Sequence, residues 1–339
     1  MKSSFSAEAL KLDADKEIER ICAGIRQQVA LELKCRGVVL GLSGGIDSSV
    51  CAALAVHALG SERVVGLFMP EVDSSPESLR LGRVLADYLR IRTELEDITS
   101  ILQAAGCYRR RDDAIRTLVP EYREEYKCKI ALPAAGERTG YALFSLIVQS
   151  PGGDEKKVRL TADAYRGIVG ATNFKQRVRK MMEYYYADRY GYAVVGTPNR
   201  LEYELGFFVK NGDGAADLKP IAHLYKTQVY QLAAALGIPE EIRQRPPTTD
   251  TYSLEQSQEE FYFSLPLMQM DVCLYAKNRG IPPEEVAAAA GLTAAAAAEV
   301  YKQIDSKKIA TRYLHLAPLV MALDGETLNA IAAFVESFR

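Results

Sequence analysis

Tryptophan is absent, histidine occurs three times, and none of the six cysteines stands in a C-x-x-C pair. Each scarcity excludes something. His57, His223 and His315 are far apart in the chain, which argues against a histidine-rich metal centre. Cys22, Cys35, Cys51, Cys107, Cys128 and Cys273 are scattered through a long chain, the pattern of a reduced protein and not of a disulfide scaffold. No run reaches the roughly 18 to 20 apolar residues that cross a bilayer. The first residues also lack the apolar core of a signal peptide. Together these absences predict a cytoplasmic protein with no membrane partner. The formal net charge is −2, without the basic excess of a chain that lives on nucleic acid, so no nucleic-acid partner is expected.

What is present is an ordinary globular composition. Of 339 residues, 48% are hydrophobic and 25% charged, enough for one large α/β domain or two modest ones. Residues 7 to 34 carry Ile18, Ile21, Ile25, Val29 and Leu33 at helical spacing, which predicts one amphipathic helix ended near Gly37. Val38 to Leu42 is a continuous apolar run of the kind buried in a parallel sheet. A helix is expected over 49–59, a strand over 63–69, a helix over 78–89 and a strand over 91–95. That alternation predicts an α/β fold: a doubly wound parallel sheet with helices on both faces and ligands at the carboxyl ends of the strands. Further on, a strand is expected over 141–148, a long helix over 163–190, a strand over 192–195 and a helix over 227–236. Residues 254–279 read as largely helical, and Gly291 separates two alanine-rich stretches.

The strongest local signal lies between the first strand and its helix: Ser43-Gly44-Gly45-Ile46-Asp47-Ser48-Ser49. Glycines allow a phosphate to approach the backbone, and the helix that follows aims free N–H groups and a positive dipole end at it. Ser43, Ser48 and Ser49 add hydroxyl donors. Asp47 cannot itself favour a phosphate, so its plausible role is that of a Mg²⁺ ligand. The loop has neither the G-x-x-x-x-G-K-[ST] spacing nor the G-x-G-x-x-G pattern.

This loop resembles the S-G-G-x-D-S pyrophosphate loop of the ATP-pyrophosphatase superfamily, whose fold is Rossmann-like (adenine nucleotide alpha-hydrolase-like). Four later segments resemble those of ammonia-dependent NAD synthetases. They are Asn173 to Arg179, Gly196 to Tyr203, Phe207 to Ile221 with the helix start Lys226-Thr227-Gln228, and Arg245-Pro246-Pro247-Thr248. Gln176 stands where the family usually has alanine.

The resemblance implies ATP-dependent amidation of deamido-NAD to NAD by ammonia, through an adenylate, with release of AMP and pyrophosphate. ATP is then expected on Ser43, Gly44, Gly45, Asp47, Ser48, Ser49, Met69, Thr197, Lys226 and Thr248, and Mg²⁺ on Asp47 and Glu202. Deamido-NAD is expected on Asn173, Lys175, Arg177, Lys210, Asp213 and Asp217. Asp47, Asp213 and Lys226 are the expected catalytic residues, Asp213 orienting or deprotonating ammonium. A homodimer is implied, since the family's acid-substrate site lies across a dimer interface. Glutamine-dependent relatives carry an added amidase domain. About 36 residues precede the first strand here, so free ammonia, or ammonia from a separate glutaminase, is the expected nitrogen source.

The domain expectation is a single α/β domain over 1–275, with an insertion at about 103–160, and a helical extension over 276–339. The insertion makes this region longer than usual in the family. Its place before Asn173 predicts that removing residues 107–155 impairs acid-substrate binding more than ATP binding. Two rival readings keep the ATP loop: an adenylating amide synthetase for another carboxylic acid, and a tRNA-modifying enzyme. A third takes residues 282–301 as a helix-turn-helix, against a plain capping helical hairpin.

Overall fold

The computed structural model describes residues 5–132, 144–249, 251–263 and 265–319. The expected N-terminal helix is divided. A 3-10 turn, Ala7–Leu10, precedes α1 (Ala14–Gln27), and a π-turn, Gln28–Glu32, follows it. The division has a local cause. The Asp13 side chain accepts from the backbone N–H of Lys16 and starts a new helix there. Lys34, with φ +54°, then ends the helical run.

The next elements follow the predicted alternation: β1 (Val38–Gly41), α2 (Ile46–Leu59), β2 (Val64–Phe68), α3 (Pro76–Leu89) and β3 (Arg92–Leu95). Helix α2 begins three residues earlier than expected, inside the serine-rich loop. Two short helices come next, α4 (Thr99–Ala104) and α5 (Cys107–Arg116). A separate antiparallel sheet is built from β4 (Lys127–Ala131), β5 (Ser145–Gln149) and β6 (Glu155–Arg159), in that order across the sheet. β5 overlaps the strand expected over 141–148, of which residues 141–143 lie outside the described residues.

Helix α6 (Ala162–Tyr190) is capped by the Thr161 side chain and closed by Gly191 in the left-handed region. After it come β7 (Ala193–Val194), α7 (Arg200–Leu205), α8 (Lys226–Ala235), α9 (Glu240–Gln244), α10 (Leu267–Asn278), α11 (Pro283–Val286) and α12 (Ala294–Thr311). The helix expected over 254–279 is divided into a π-turn, Glu259–Phe263, and α10. Residues 254–257 are not helical, and Pro266 is the N-cap of α10.

The main sheet is parallel, with order β3-β2-β1-β7. β1, β2 and β7 are buried along nearly all their length, while the edge strand β3 is largely exposed or half-buried. Val38 and Leu40 pack with α1, α2 and α8 on one side, while Val39, Val65 and Leu67 pack with Val178, Tyr186 and Ala187 of α6 on the other. Connections from β1 run outward to β2 and β3, and β7 then joins the opposite side of β1. The strand order therefore reverses between β1 and β7, the point where an open α/β sheet leaves a crevice at its carboxyl end. The alanine-rich stretches after α10 form a hairpin whose Val286, Ala297, Val300 and Ile304 are buried against Met270, Leu274 and Leu201.

Candidate active site

The crevice at the switch point is lined by Leu42 and Ser43 after β1, Met69 and Pro70 after β2, and Val195, Gly196 and Thr197 after β7. Its remaining wall comes from Ser74, Ser75 and Ser78, from Gln176, Arg179, Lys180 and Glu183 of α6, and from Asp213 and Thr249.

The loop geometry explains its glycine. Gly44 has φ +69°, and a Cβ there would sit 2.4 Å from the Ser78 carbonyl oxygen. Only glycine fits both constraints. The serines hold the loop together. Ser43 Oγ lies 3.1 Å from Ser48 Oγ, and the hydroxyls of Ser48 and Ser49 donate to the Gly45 carbonyl at 3.1 and 2.8 Å. Helix α2 thus opens on this loop with its N-terminal N–H groups directed to the crevice.

Beside the loop stands a cluster of buried charge. Asp47 Oδ1 accepts from Asn199 Nδ2 at 3.0 Å, and Asp47 Oδ2 accepts from Lys226 Nζ. Lys226 is 2% exposed. Burial works against its charge, but Asp47 and Glu202 together raise its proton affinity. Asn199 and Glu202 form a capping box at the start of α7, with Asn199 N–H donating to Glu202 Oε2 at 3.2 Å. Glu202 Oε1 accepts from Gln258 Nε2 at 2.9 Å. Burial, and then the Asp47 charge, push the Glu202 carboxyl well above the usual range. Cap, lysine and carboxylates therefore come from α2, α7 and α8, brought to one point by the sheet.

The expected site residues divide into groups. Ser43, Ser48, Met69, Thr197 and Asp213 line the crevice. Asp47, Glu202 and Lys226 meet next to Ser48. Asp213 is held by Val209 N–H, which donates to its Oδ1 at 2.7 Å, and burial raises its pKa. Thr249, one residue after the expected Thr248, reaches the crevice wall, while Thr248 pairs with Ser257 in a β-bridge.

Of the expected acid-substrate residues, Arg177 and Lys210 are in contact, while Lys175 and Asp217 are engaged elsewhere. Asn173 is half-buried and Arg177 exposed. Arg177 Nε donates to the Lys210 carbonyl at 3.3 Å, and Lys210 Nζ donates to the carbonyls of Tyr313 and Leu316 at 2.9 and 3.2 Å. Lys175 is 1% exposed and bonded to Glu71 at 3.0 Å, Asp73 at 2.6 Å and the Thr251 carbonyl at 2.8 Å. Asp217 accepts from Val194 N–H at 2.7 Å and ties its loop to β7.

The sequence offered Arg179, with Arg177, as a carrier of phosphate or carboxylate, and Arg179 lies on the crevice wall, donating to the Met69 carbonyl at 3.2 Å. Other residues beside the crevice were not foreseen. Arg245 reaches Ser78 Oγ at 2.8 Å and the Ser43 and Gly44 carbonyls at 3.5 and 3.4 Å, bracing the loop from outside. Lys180 and Glu183 form a buried pair at 2.5 Å, and their i, i+3 spacing on a helix was the one available signal.

Against known proteins, the chain matches the family model described as NAD synthase over residues 17–121 and 156–312. It is 58% identical over 321 residues to the NH(3)-dependent NAD(+) synthetase of Rhizobium rhizogenes, covering 94% of this chain and 96% of that protein. It is 60% identical over 314 residues to the enzyme of the same name from Rhizobium meliloti, covering 93% and 94%. Among solved structures, NH3-dependent NAD synthetase from Campylobacter jejuni aligns at TM-score 0.60 and 23% identity, over 92% of this chain and all (100%) of that one. NMN synthetase from Francisella tularensis aligns at TM-score 0.59 and 20% identity, over 92% and 100%. At that identity the structures bear on the fold alone. The family match and the rhizobial identities carry the assignment: the chain belongs to the NAD synthase family.

Proposed function

We propose that this protein is a ligase that amidates deamido-NAD with ammonia. It uses ATP and passes through an adenylate, releasing AMP and pyrophosphate. The single observation that carries the reading is the meeting of Asp47, Asn199, Glu202 and Lys226 beside the Ser43–Ser49 loop, at the switch point of the sheet.

Adenylyl transfer needs positioning and charge neutralisation more than a protein nucleophile. The loop N–H groups and the hydroxyls of Ser43, Ser48 and Ser49 hold the phosphates of ATP, with Gly44 and Gly45 allowing their approach. Lys226 offsets phosphate charge, Thr248 and Thr249 close the phosphate end, and Met69 and Thr197 flank the nucleotide. Arg179 lies on the crevice wall, where it meets the charge that develops as the nicotinate carboxylate attacks the α-phosphate. Asp213 receives a proton from ammonium, so that neutral ammonia attacks the acyl carbon.

The carboxylates also fit Mg²⁺, which usually binds through one or two carboxylates plus substrate phosphates. Asp47 and Glu202 repel each other in a buried setting, which a cation between them would relieve. When bound there, Mg²⁺ neutralises phosphate charge.

For the acid substrate, Arg177 and Lys210 remain the cationic positions, with Asn173 one helical turn before Arg177 on α6. Lys175 and Asp217 serve as supports of that wall, given their partners. A homodimer would cover the α6 face on which Met181 and Tyr185 are 53% and 50% exposed. Among the described residues no helix is long and apolar enough to cross a membrane, and the six cysteines are free. Both accord with action in the cytoplasm. We further propose one α/β domain over 1–275 with a helical extension beyond it, and free ammonia or a separate glutaminase as the nitrogen source.

The test is NAD formation from deamido-NAD, ATP, Mg²⁺ and ammonium, with pyrophosphate measured in parallel. Stoichiometric NAD and pyrophosphate are expected. Pyrophosphate release with another carboxylic acid and none with deamido-NAD would overturn the substrate assignment.

A further inference from the structure

The β4–β6 sheet has no part in the reading above, yet its outer edge is occupied. An edge strand presents free N–H and C=O groups and needs a cover. On β4 the cover is the segment that follows Thr248. Cys128 N–H donates to Ser253 Oγ at 2.8 Å, and Leu254 N–H donates to the Cys128 carbonyl at 3.2 Å. Gln256 Nε2 donates to the Ile130 carbonyl at 2.5 Å, and Leu132 N–H donates to the Glu260 carbonyl at 3.2 Å.

The same segment folds back on the phosphate end of the crevice. Thr249 N–H donates to the Gln256 carbonyl at 3.1 Å, and Gln258 N–H donates to the Pro247 carbonyl at 3.2 Å. Gln258 then places its side-chain N–H on Glu202 at 2.9 Å. Its Oε1 is buried without a hydrogen-bond partner among the described residues, an acceptor that a donor bound at the site would satisfy.

We propose that the β4–β6 sheet is a splint for the ATP site, and that Gln258 is the positioning residue through which it acts on Glu202. The sheet fixes the 251–258 arm. The arm fixes Thr248 and Thr249 at the phosphate end and aims the Gln258 amide at the carboxylate assigned to Mg²⁺. This inference rests on the ATP-site reading. It places the functional weight of the insertion on ATP and metal binding, not on the acid substrate.

Two variants test it. Gln258→Met keeps the side-chain length and removes the donor. Ser253→Ala/Gln256→Ala loosens the arm from β4 without touching the crevice. For each, affinity for a non-hydrolysable ATP analogue is measured by calorimetry, with Mn²⁺ affinity by electron paramagnetic resonance, deamido-NAD affinity and Tm alongside. Gln258→Met should weaken Mn²⁺ and nucleotide binding by about tenfold or more, the usual effect of losing a partner of a metal ligand. Its deamido-NAD affinity should stay within about twofold, by the same reasoning. The double variant should show the same selectivity with a lower Tm. Unchanged Mn²⁺ and nucleotide affinity in Gln258→Met would overturn the proposal, as would equal loss for both substrates in a folded variant. If wild-type protein binds the nucleotide with metal but makes no NAD, the substrate reading fails and the splint stands. If it makes NAD and Gln258→Met binds normally, the splint fails alone.

Discussion

Lys226 and Asp47 are joined by a partly buried hydrogen-bonded ion pair between residues 179 positions apart in sequence. One opens the phosphate-loop helix and the other opens α8, so the pair reports whether the phosphate loop and α8 are docked. Lys226→Met removes the cation and leaves Asp47 facing Glu202. Turnover should fall by about 10² to 10³, the scale for losing one preorganised electrostatic contact. Asp47→Asn/Lys226→Met should cost less stability than the sum of the single changes, because groups in one network are not additive. Urea unfolding checks this, and strict additivity would separate the two residues.

Gly44→Ala meets a backbone obstacle. The new methyl group would lie 2.4 Å from the Ser78 carbonyl oxygen at φ +69°. A strained backbone of this kind costs about 1–3 kcal/mol. The variant should lose ATP binding while keeping its far-ultraviolet circular dichroism. Normal ATP affinity would refute the loop assignment.

Lys175 supplies a contrast. It is enclosed by Glu71, Asp73 and the Thr251 carbonyl, with Arg111 on the same Asp73 at 2.6 Å. Lys175→Met removes the cation paired with the buried Glu71 and leaves Asp73 to Arg111 alone, and breaking such a pair costs about 3–5 kcal/mol. The expected signature is a lower Tm, with KM for deamido-NAD nearly unchanged in the folded fraction. A large KM effect at normal Tm would restore Lys175 as a substrate ligand.

Asp271 accepts from Thr227 N–H at 2.7 Å at the start of α8, and burial pushes its pKa up to about 6. Its folded value lies above its unfolded value, so the folded protein holds the extra proton between them. Stability must then fall as pH rises through the window from the ordinary carboxylate value to about 6. Asp271→Asn keeps an acceptor for Thr227 and should flatten that slope. Thermal unfolding from pH 4 to 7 reads the difference, and an unchanged slope would contradict it.

How much of this was legible in the sequence depended on range. Ser43 to Ser49 could be read because strand, loop and helix are contiguous, and local physics fixes all three. Val38 to Leu42 and a ligand site at the carboxyl ends of the strands followed from apolar runs and alternation, whereas the reversal between β1 and β7 came only with the strand order. Asp47 was read from the loop itself, and Glu202 and Lys226 were named through the family resemblance, but nothing in the sequence shows that they touch. Lys175 and Asp217 were assigned to substrate because their segments matched, and the sequence held no sign of Glu71 and Asp73 or of the Val194 amide. The helix expected over 254–279 went astray for a similar reason. Its first residues gain more from covering β4 than from a helix, a tertiary choice that periodicity does not record. Gln258 was invisible on the same ground.

The central claim is that deamido-NAD is adenylated at this crevice before ammonia attacks. Isotope exchange between labelled pyrophosphate and ATP, run without ammonia, tests it most directly. The account predicts exchange that requires both Mg²⁺ and deamido-NAD and that disappears in Asp47→Ala. Exchange that proceeds without deamido-NAD, or that survives in Asp47→Ala, would contradict it.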